Sequence, residues 1–214
     1  MRKPDCIIFD CDGVLVDSEV IGIRLLLEMT APYGVDMKEE DAVLEFAGRR
    51  LKEVIDMLQT RTGQTFPDDL EQRFRERSFE VFQEEVEPVE GIRALLDSLT
   101  IPFCVASSGP VDKIRLNLTL TGLIGYFEDR IFSAYDIESW KPDPGIFLHA
   151  AREMGFSPER CVVIEDSKAG ITAGVRGGFT VFGYAKEHNA KELESEGATV
   201  FYNMHELPQL LKLA

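Results

Sequence analysis

The chain has 214 residues, 44% of them hydrophobic, and its 38 Asp and Glu against 23 Lys and Arg leave a net charge of −15. That length fits one domain with a modest insertion, and the apolar share excludes a disordered or collagen-like chain. So acidic a surface repels phosphate backbones and anionic lipid, which argues against nucleic acid and membrane as partners.

The first apolar run, Ile7-Ile8-Phe9, reads as a buried strand. From about Ser18 to Val86 the spacing turns helical. Leu51, Val54, Ile55 and Leu58 form one stripe, and Leu70, Phe74, Val81 and Phe82 suggest another. Pro67 is expected to open the longer helix and Pro88 to end the region, while Asp17 or Ser18 is a candidate cap for its first helix. The charge-rich stretch from Asp68 to Glu87 reads as a solvated helix face. Beyond it, Ile92, Leu95, Leu96 and Leu99 share a helical face. Strands are expected at Phe103 to Ala106, Arg130 to Phe132, Cys161 to Ile164, Thr180 to Phe182 and Thr199 to Phe201. A helix carrying Ile146, Phe147 and Ala150 has Asp143 as candidate N-cap, Pro144 at its first position and Gly155 at its end. Strands alternating with helices predict an α/β fold: a Rossmann-like parallel sheet core with helices on both faces over residues 1–16 and 88–214. Residues 17–87 are expected to form an inserted all-α unit.

No run nears the roughly 20 apolar residues of a membrane span, and Asp5 interrupts the N-terminus before a leader's apolar stretch begins. Cys6, Cys11, Cys104 and Cys161 lack CxxC spacing and are expected as buried thiols of a cytoplasmic protein.

In open α/β sheets ligands bind beyond the carboxyl ends of the strands. Asp10 and Asp12 follow the first expected strand, Ser107, Ser108 and Gly109 the second, and Glu165 and Asp166 the fourth, with Lys141 in the loop before it. Four carboxylates gathered at one sheet edge repel one another unless a cation sits among them, and hard oxygen ligands favour Mg²⁺. With Lys141 alongside, the place attracts phosphate despite the net charge. Ser107 and the backbone N–H groups after it are suited to the remaining phosphate oxygens. Cys11 lies between the two aspartates, but strand alternation points it away from them. His149, His188 and His205 match no motif and are expected at the surface or in packing.

The stretches Asp10-Cys11-Asp12-Gly13-Val14-Leu15-Val16-Asp17, Ser107-Ser108-Gly109, Trp140-Lys141-Pro142-Asp143-Pro144 and Ile164-Glu165-Asp166-Ser167-Lys168-Ala169-Gly170 resemble the four ordered motifs of the haloacid dehalogenase-like phosphohydrolases. The resemblance spans essentially the whole chain, with a small helical cap between the first two motifs. It implies that Asp10 is the nucleophile that forms an aspartyl-phosphate and that Asp12 serves as general acid and base, its carbonyl binding Mg²⁺. It also implies that Ser107 binds the transferred group, that Lys141 pairs with it and with Asp10, and that Asp166 binds the metal, with Glu165 doing so directly or through water. The implied partner is a small phosphorylated metabolite, handled by a monomer or weak homo-oligomer. Arg49 and Arg50, after Gly48, either contact the far end of the substrate or merely begin a helix.

Dehalogenases of the family lack the second aspartate, so Asp12 points to phosphoryl transfer. Mutases resembling β-phosphoglucomutase share all four motifs but carry a histidine just after the first, and Ser18-Glu19-Val20-Ile21-Gly22 has none. Hydrolysis is therefore expected over mutation, with a non-catalytic phosphate-binding module as the remaining alternative. Ser108-Gly109-Pro110 and the stretch from Tyr135 to Pro142 are similar to bacterial 6-phosphogluconate phosphatases, which implies a sugar-phosphate or sugar-acid phosphate substrate.

Overall fold

The computed structural model describes residues 3–46, 49–186 and 189–213. In chain order the elements are β1 (Cys6–Phe9), α1 (Glu19–Thr30), α2 (Glu39–Phe46), α3 (Leu51–Thr62), α4 (Leu70–Glu85), α5 (Ile92–Ser98), β2 (Phe103–Ser107), α6 (Val111–Leu120), α7 (Ile124–Phe127), β3 (Ile131–Ser133), α8 (Ala134–Ile137), α9 (Gly145–Glu153), β4 (Cys161–Glu165), α10 (Lys168–Arg176), β5 (Thr180–Tyr184), α11 (Ala190–Ser195), β6 (Thr199–Phe201) and α12 (Leu207–Leu210). The six strands form one sheet in the order β3-β2-β1-β4-β5-β6, and every pairing is parallel. A parallel sheet buries both faces, which is why its strands read as short continuous apolar runs.

The period of two along β1 divides the core. Ile7 and Phe9 pack with Ile92, Leu95 and Leu96 of α5 and with Ile114 and Leu118 of α6. Cys6 and Ile8 face the other way, onto Ile146, Phe147 and Ala150 of α9 and Ile171 of α10. All four cysteines are buried with free thiols.

Helices α1 to α4 hold a third apolar cluster of their own, built from Ile23, Leu26, Phe46, Val54, Ile55, Leu58 and Leu70 among others. The chain enters and leaves these helices through two segments lying side by side. Val16 bridges Pro88, Asp17 N donates to Glu87 O at 2.9 Å, and Val89 N donates to Leu15 O at 3.0 Å.

Four expectations need correction. Pro67 does not open α4: it begins a turn whose carbonyl accepts from Leu70 N, and the helix starts at Leu70. Ser18 precedes α1 without capping it, because its hydroxyl donates to Asp12 instead. The stretch from Asp68 to Glu87 is not merely a solvated face, since Glu71, Arg75, Ser78, Phe79 and Phe82 line a cavity. Asp143 is not the N-cap of α9: the helix begins at Gly145 with Pro144 as its N-cap, and Asp143, one residue further out, accepts from Gly145 N at 2.9 Å.

Candidate active site

Asp10 follows β1 directly, its N–H continuing the sheet ladder to Ile164 O at 2.9 Å. Gly13 then turns the chain with φ of +81°, where a Cβ would be strained and would also collide with the Asp166 carboxylate. This glycine leaves the space into which Asp166 reaches from the end of β4. Gly170 does the same for Glu165, whose carboxylate occupies the volume of the missing Cβ. Ser167 caps α10 by accepting from Gly170 N at 3.1 Å. Its own N–H and hydroxyl donate to Glu165 Oε2 at 2.7 and 2.9 Å.

Lys141 joins two carboxylates. Its Nζ donates to Asp10 Oδ1 at 2.5 Å and to Glu165 Oε1 at 2.7 Å, all three groups being almost wholly buried. Burial opposes charge on this lysine, but Asp10 and Glu165 outweigh it and hold the ammonium above its ordinary range. Asp10 is pushed up to about 7, by burial first and by the charges of Glu165 and Asp12, against the pull of Lys141. Asp166 is raised well above the carboxylate range by burial, then by Glu19, Glu165 and Asp10. Carboxyls that resist ionisation so strongly mark a place short of positive charge. Oxygens of Asp10, Glu165 and Asp166 come within 4.8 Å of one another, so the donor set suits a hard divalent cation. Glu165 is the least available of the three, because Lys141, Ser167 and Asp166 N already donate to it.

Asp12 behaves differently. Burial raises it, but the Lys113 charge, the Ser18 hydroxyl and the Lys113 hydrogen bond hold it below the ordinary carboxylate value. Lys113 Nζ lies 2.9 Å from Oδ2, and Asn117 Nδ2 lies 3.3 Å from Oδ1. Sequence reasoning missed both. The readable signal is Asn117, a polar residue on the α6 stripe whose neighbours Ile114 and Leu118 are buried.

Ser107 ends β2, is buried, and accepts from Gly109 N at 3.0 Å. Ser133 Oγ donates to Gly109 O at 2.7 Å and steadies the turn. Asp10, Asp12, Ser107, Ser108, Gly109, Lys141, Glu165, Asp166, Arg49 and Arg50, every candidate from the sequence, line one cavity of about 410 Å³ between the sheet edge and the helices α1, α3 and α4. Within its lining the Arg50 guanidinium sits 5.0 Å over Trp140. Arg75, also missed, donates to Tyr135 Oη at 2.9 Å and to Glu71 at 2.6 Å. Arg49 also lines the cavity, its Nε donating to Glu45 O. Cys11 is buried in the core beneath the site and burial pushes its thiol well up, so it stays a thiol. His149 packs edge-on against Phe132, and His188 lies outside the described residues.

Residues 7–184 match the family model of the haloacid dehalogenase-like hydrolases. The chain belongs to this family. Among curated proteins it is 36% identical to 6-phosphogluconate phosphatase of Escherichia coli, over 99% of this chain and 96% of that one. Hexitol phosphatase B of the same species is 31% identical over 78% of this chain and 77% of its own. Among solved structures, a conserved haloacid dehalogenase-like protein of unknown function from Agrobacterium tumefaciens superposes with a TM-score of 0.88 at 32% identity, covering 98% of both chains. Both of these curated relatives are named as phosphatases.

Proposed function

We propose that this family member is a Mg²⁺-dependent phosphatase that hydrolyses a small sugar phosphate or sugar-acid phosphate through an aspartyl-phosphate at Asp10. The observation that carries the reading is the pairing at one strand end of two unlike carboxylates. Asp10 is joined to Lys141 beside Glu165 and Asp166, and Asp12 is held by Lys113 in the same chamber.

Phosphate monoesters hydrolyse so slowly in water that a site must remove on the order of 20 kcal/mol of barrier. A covalent route splits that task in two. Asp10 attacks phosphorus while Lys141 offsets the charge gathering between carboxylate and phosphoryl oxygens. Ser107 Oγ and the Ser108 N–H hold the oxygens that Lys141 does not reach. Asp12 gives its proton to the departing alkoxide, then takes one from the water that frees phosphate from Asp10. Asp10, Asp166, Glu165 and the Asp12 carbonyl are the groups that would hold Mg²⁺, which when bound supplies further neutralisation of the phosphoryl charge. The helices spanning 17–87 act as a cap that shuts water out and sizes the substrate. Arg49, Arg50 and Arg75 line the same cavity and set cations there, which suits a substrate with a second anionic group.

The mutase alternative gains no support from the chamber, whose described lining includes no histidine. Phosphate release from a panel of hexose phosphates, hexitol phosphates, phosphoglycolate and 6-phosphogluconate, with Mg²⁺ and with chelator, tests the reading. Metal-dependent release with sugar-acid phosphate preferred is expected. Hexose 1-phosphate isomerised without net release would overturn it in favour of the mutase.

A further inference from the structure

We infer that Tyr135 and Trp140 are positioning residues for the phosphoryl transfer, forming an aromatic seat on which Arg50 and Arg75 of the cap come to rest. The inference rests on the phosphatase reading and extends it to residues with no part in the chemical steps. The contact is an unbroken row across the boundary between cap and sheet. Arg75 on α4 donates to Tyr135 Oη at 2.9 Å. The Tyr135 ring meets Trp140 edge-on at 5.3 Å. The Arg50 guanidinium, just ahead of α3, lies 5.0 Å over the Trp140 ring and brings the row back to the cap. Glu71, one turn earlier on α4, accepts from Arg75 at 2.6 Å and fixes the direction of its guanidinium. Neither ring belongs to any of the three apolar clusters, and Tyr135 is 44% exposed. Rings kept outside every core contribute little packing to the fold. Their described contacts are instead with each other and with cations across the boundary.

A unit joined to the sheet through two adjacent segments, at Val16 and Pro88, turns about that pair as a hinge. Contacts beyond the hinge set where the turn stops. Cation–π contacts and a single hydrogen bond at a half-exposed site suit that task, since each is weak enough to release when substrate enters and product leaves. The seat also leads directly to the catalytic lysine. Trp140 precedes Lys141, and Asp143 N donates to Trp140 O at 2.9 Å, which closes a turn around Lys141. Lys141 in turn holds Asp10 and Glu165. Settling of the two arginines on the rings therefore registers the cap against the loop that aims the ammonium at Asp10. Closure of the cavity and alignment of Lys141 become one event.

The full chain with Mg²⁺, acting on p-nitrophenyl phosphate, tests this, because that ester has no second anionic group for Arg50 or Arg75 to bind. In Arg50→Met and in Trp140→Leu, kcat/KM is expected to fall about fivefold, the worth of one cation–π contact. The double variant falls no further than the worse single one, since both remove the same contact. Arg50→Lys and Trp140→Phe, which keep a cation and a ring, recover most of the loss. Tyr135→Phe, which removes a hydroxyl and no cation, gives a smaller fall in the same direction. Trp140 is the only tryptophan, so its fluorescence reads the seat independently of turnover. Arg50→Met is expected to shift the emission of the folded protein, with the difference vanishing in urea. An unchanged kcat/KM in Arg50→Met, additive losses in the double variant, or superimposable emission spectra overturn the inference and leave the phosphatase reading standing. A loss seen only with 6-phosphogluconate also overturns it, because Arg50 then acts on the substrate and not on the ring. Should Trp140→Leu fail to fold, the Arg50 and Tyr135 variants decide alone. A wild-type protein that releases phosphate from no ester removes both.

Discussion

Lys141 is the residue on which the buried charges of the site depend. With Asp10 and Glu165 both inside hydrogen-bond distance and all three shielded from water, deleting the ammonium strands two carboxylates in the interior. Breaking a buried ion pair from one side costs about 3–5 kcal/mol. Lys141→Met is therefore expected to lower the melting temperature strongly, and millimolar Mg²⁺ to recover part of the loss, measured by thermal denaturation with and without chelator. Unchanged stability would show the pair to be dispensable. Asp10→Asn keeps the shape and a hydrogen-bond acceptor for Lys141, so the fold should persist while turnover falls by at least about 1,000-fold. Residual activity near wild type would remove Asp10 from the nucleophile's role. At this scale the sequence was informative where residues sit next to strand ends. Asp10, Ser107, Glu165 and Asp166 each follow or end an apolar run, so their convergence follows from parallel topology alone. Lys113 and Arg75 were not legible, because their partners Asp12 and Tyr135 lie 101 and 60 positions away along the chain, whereas Asn117 left a trace as a polar residue on a buried stripe. Ser18 misled for a related reason: a serine before a helix reads as a cap, yet here a long-range acceptor takes its hydroxyl.

Elements place these groups through the loops that leave the sheet. The turn after β1 depends on Gly13, whose positive φ and missing Cβ make room for the Asp166 carboxylate. Gly13→Ala is expected to weaken Mg²⁺ binding about 10- to 100-fold, the range seen when a ligand's supporting geometry is disturbed. Titration calorimetry on the phosphate-free protein measures this. Affinity equal to wild type would mean that Asp166 is not held by the turn. Helix α4 shows how a surface pattern hides a site. Its charges are solvated on one side, while Arg75, Ser78 and Phe82 face the cavity, and no periodicity distinguishes a pocket wall from a solvated face. The stripes of α3, α5 and α9 were readable because a face that packs against a neighbour is apolar by necessity.

The whole molecule carries a net charge of −15 and gathers carboxylates that resist ionisation at its centre. A carboxyl whose pKa rises on folding stabilises the fold where it is protonated. The contribution of Asp10 is thus full below its unfolded value near 4 and lost as pH climbs through about 7. Asp166 is raised and acts in the same direction. Asp12 is lowered, so its contribution is lost only below the ordinary carboxylate range. The metal-free protein is therefore expected to melt at a higher temperature at pH 5 than at pH 8, and Mg²⁺ at pH 8 to close most of that gap. A gap untouched by Mg²⁺ would place its origin in the general surface charge. No described helix is long and apolar enough to cross a membrane. The parallel sheet, its strands and the helical insertion were all readable, since alternation of short apolar runs with amphipathic helices leaves few topologies.

The central claim is that Asp10 takes the phosphoryl group from the substrate. Acid-quenched turnover on 6-phosphogluconate, followed by peptide mass spectrometry, tests it most directly. A hydroxylamine-sensitive phosphoryl adduct on the peptide carrying Asp10, absent from Asp10→Asn, is the predicted result. Rapid phosphate release with no adduct on Asp10 at any quench time would contradict the account and require direct attack by water.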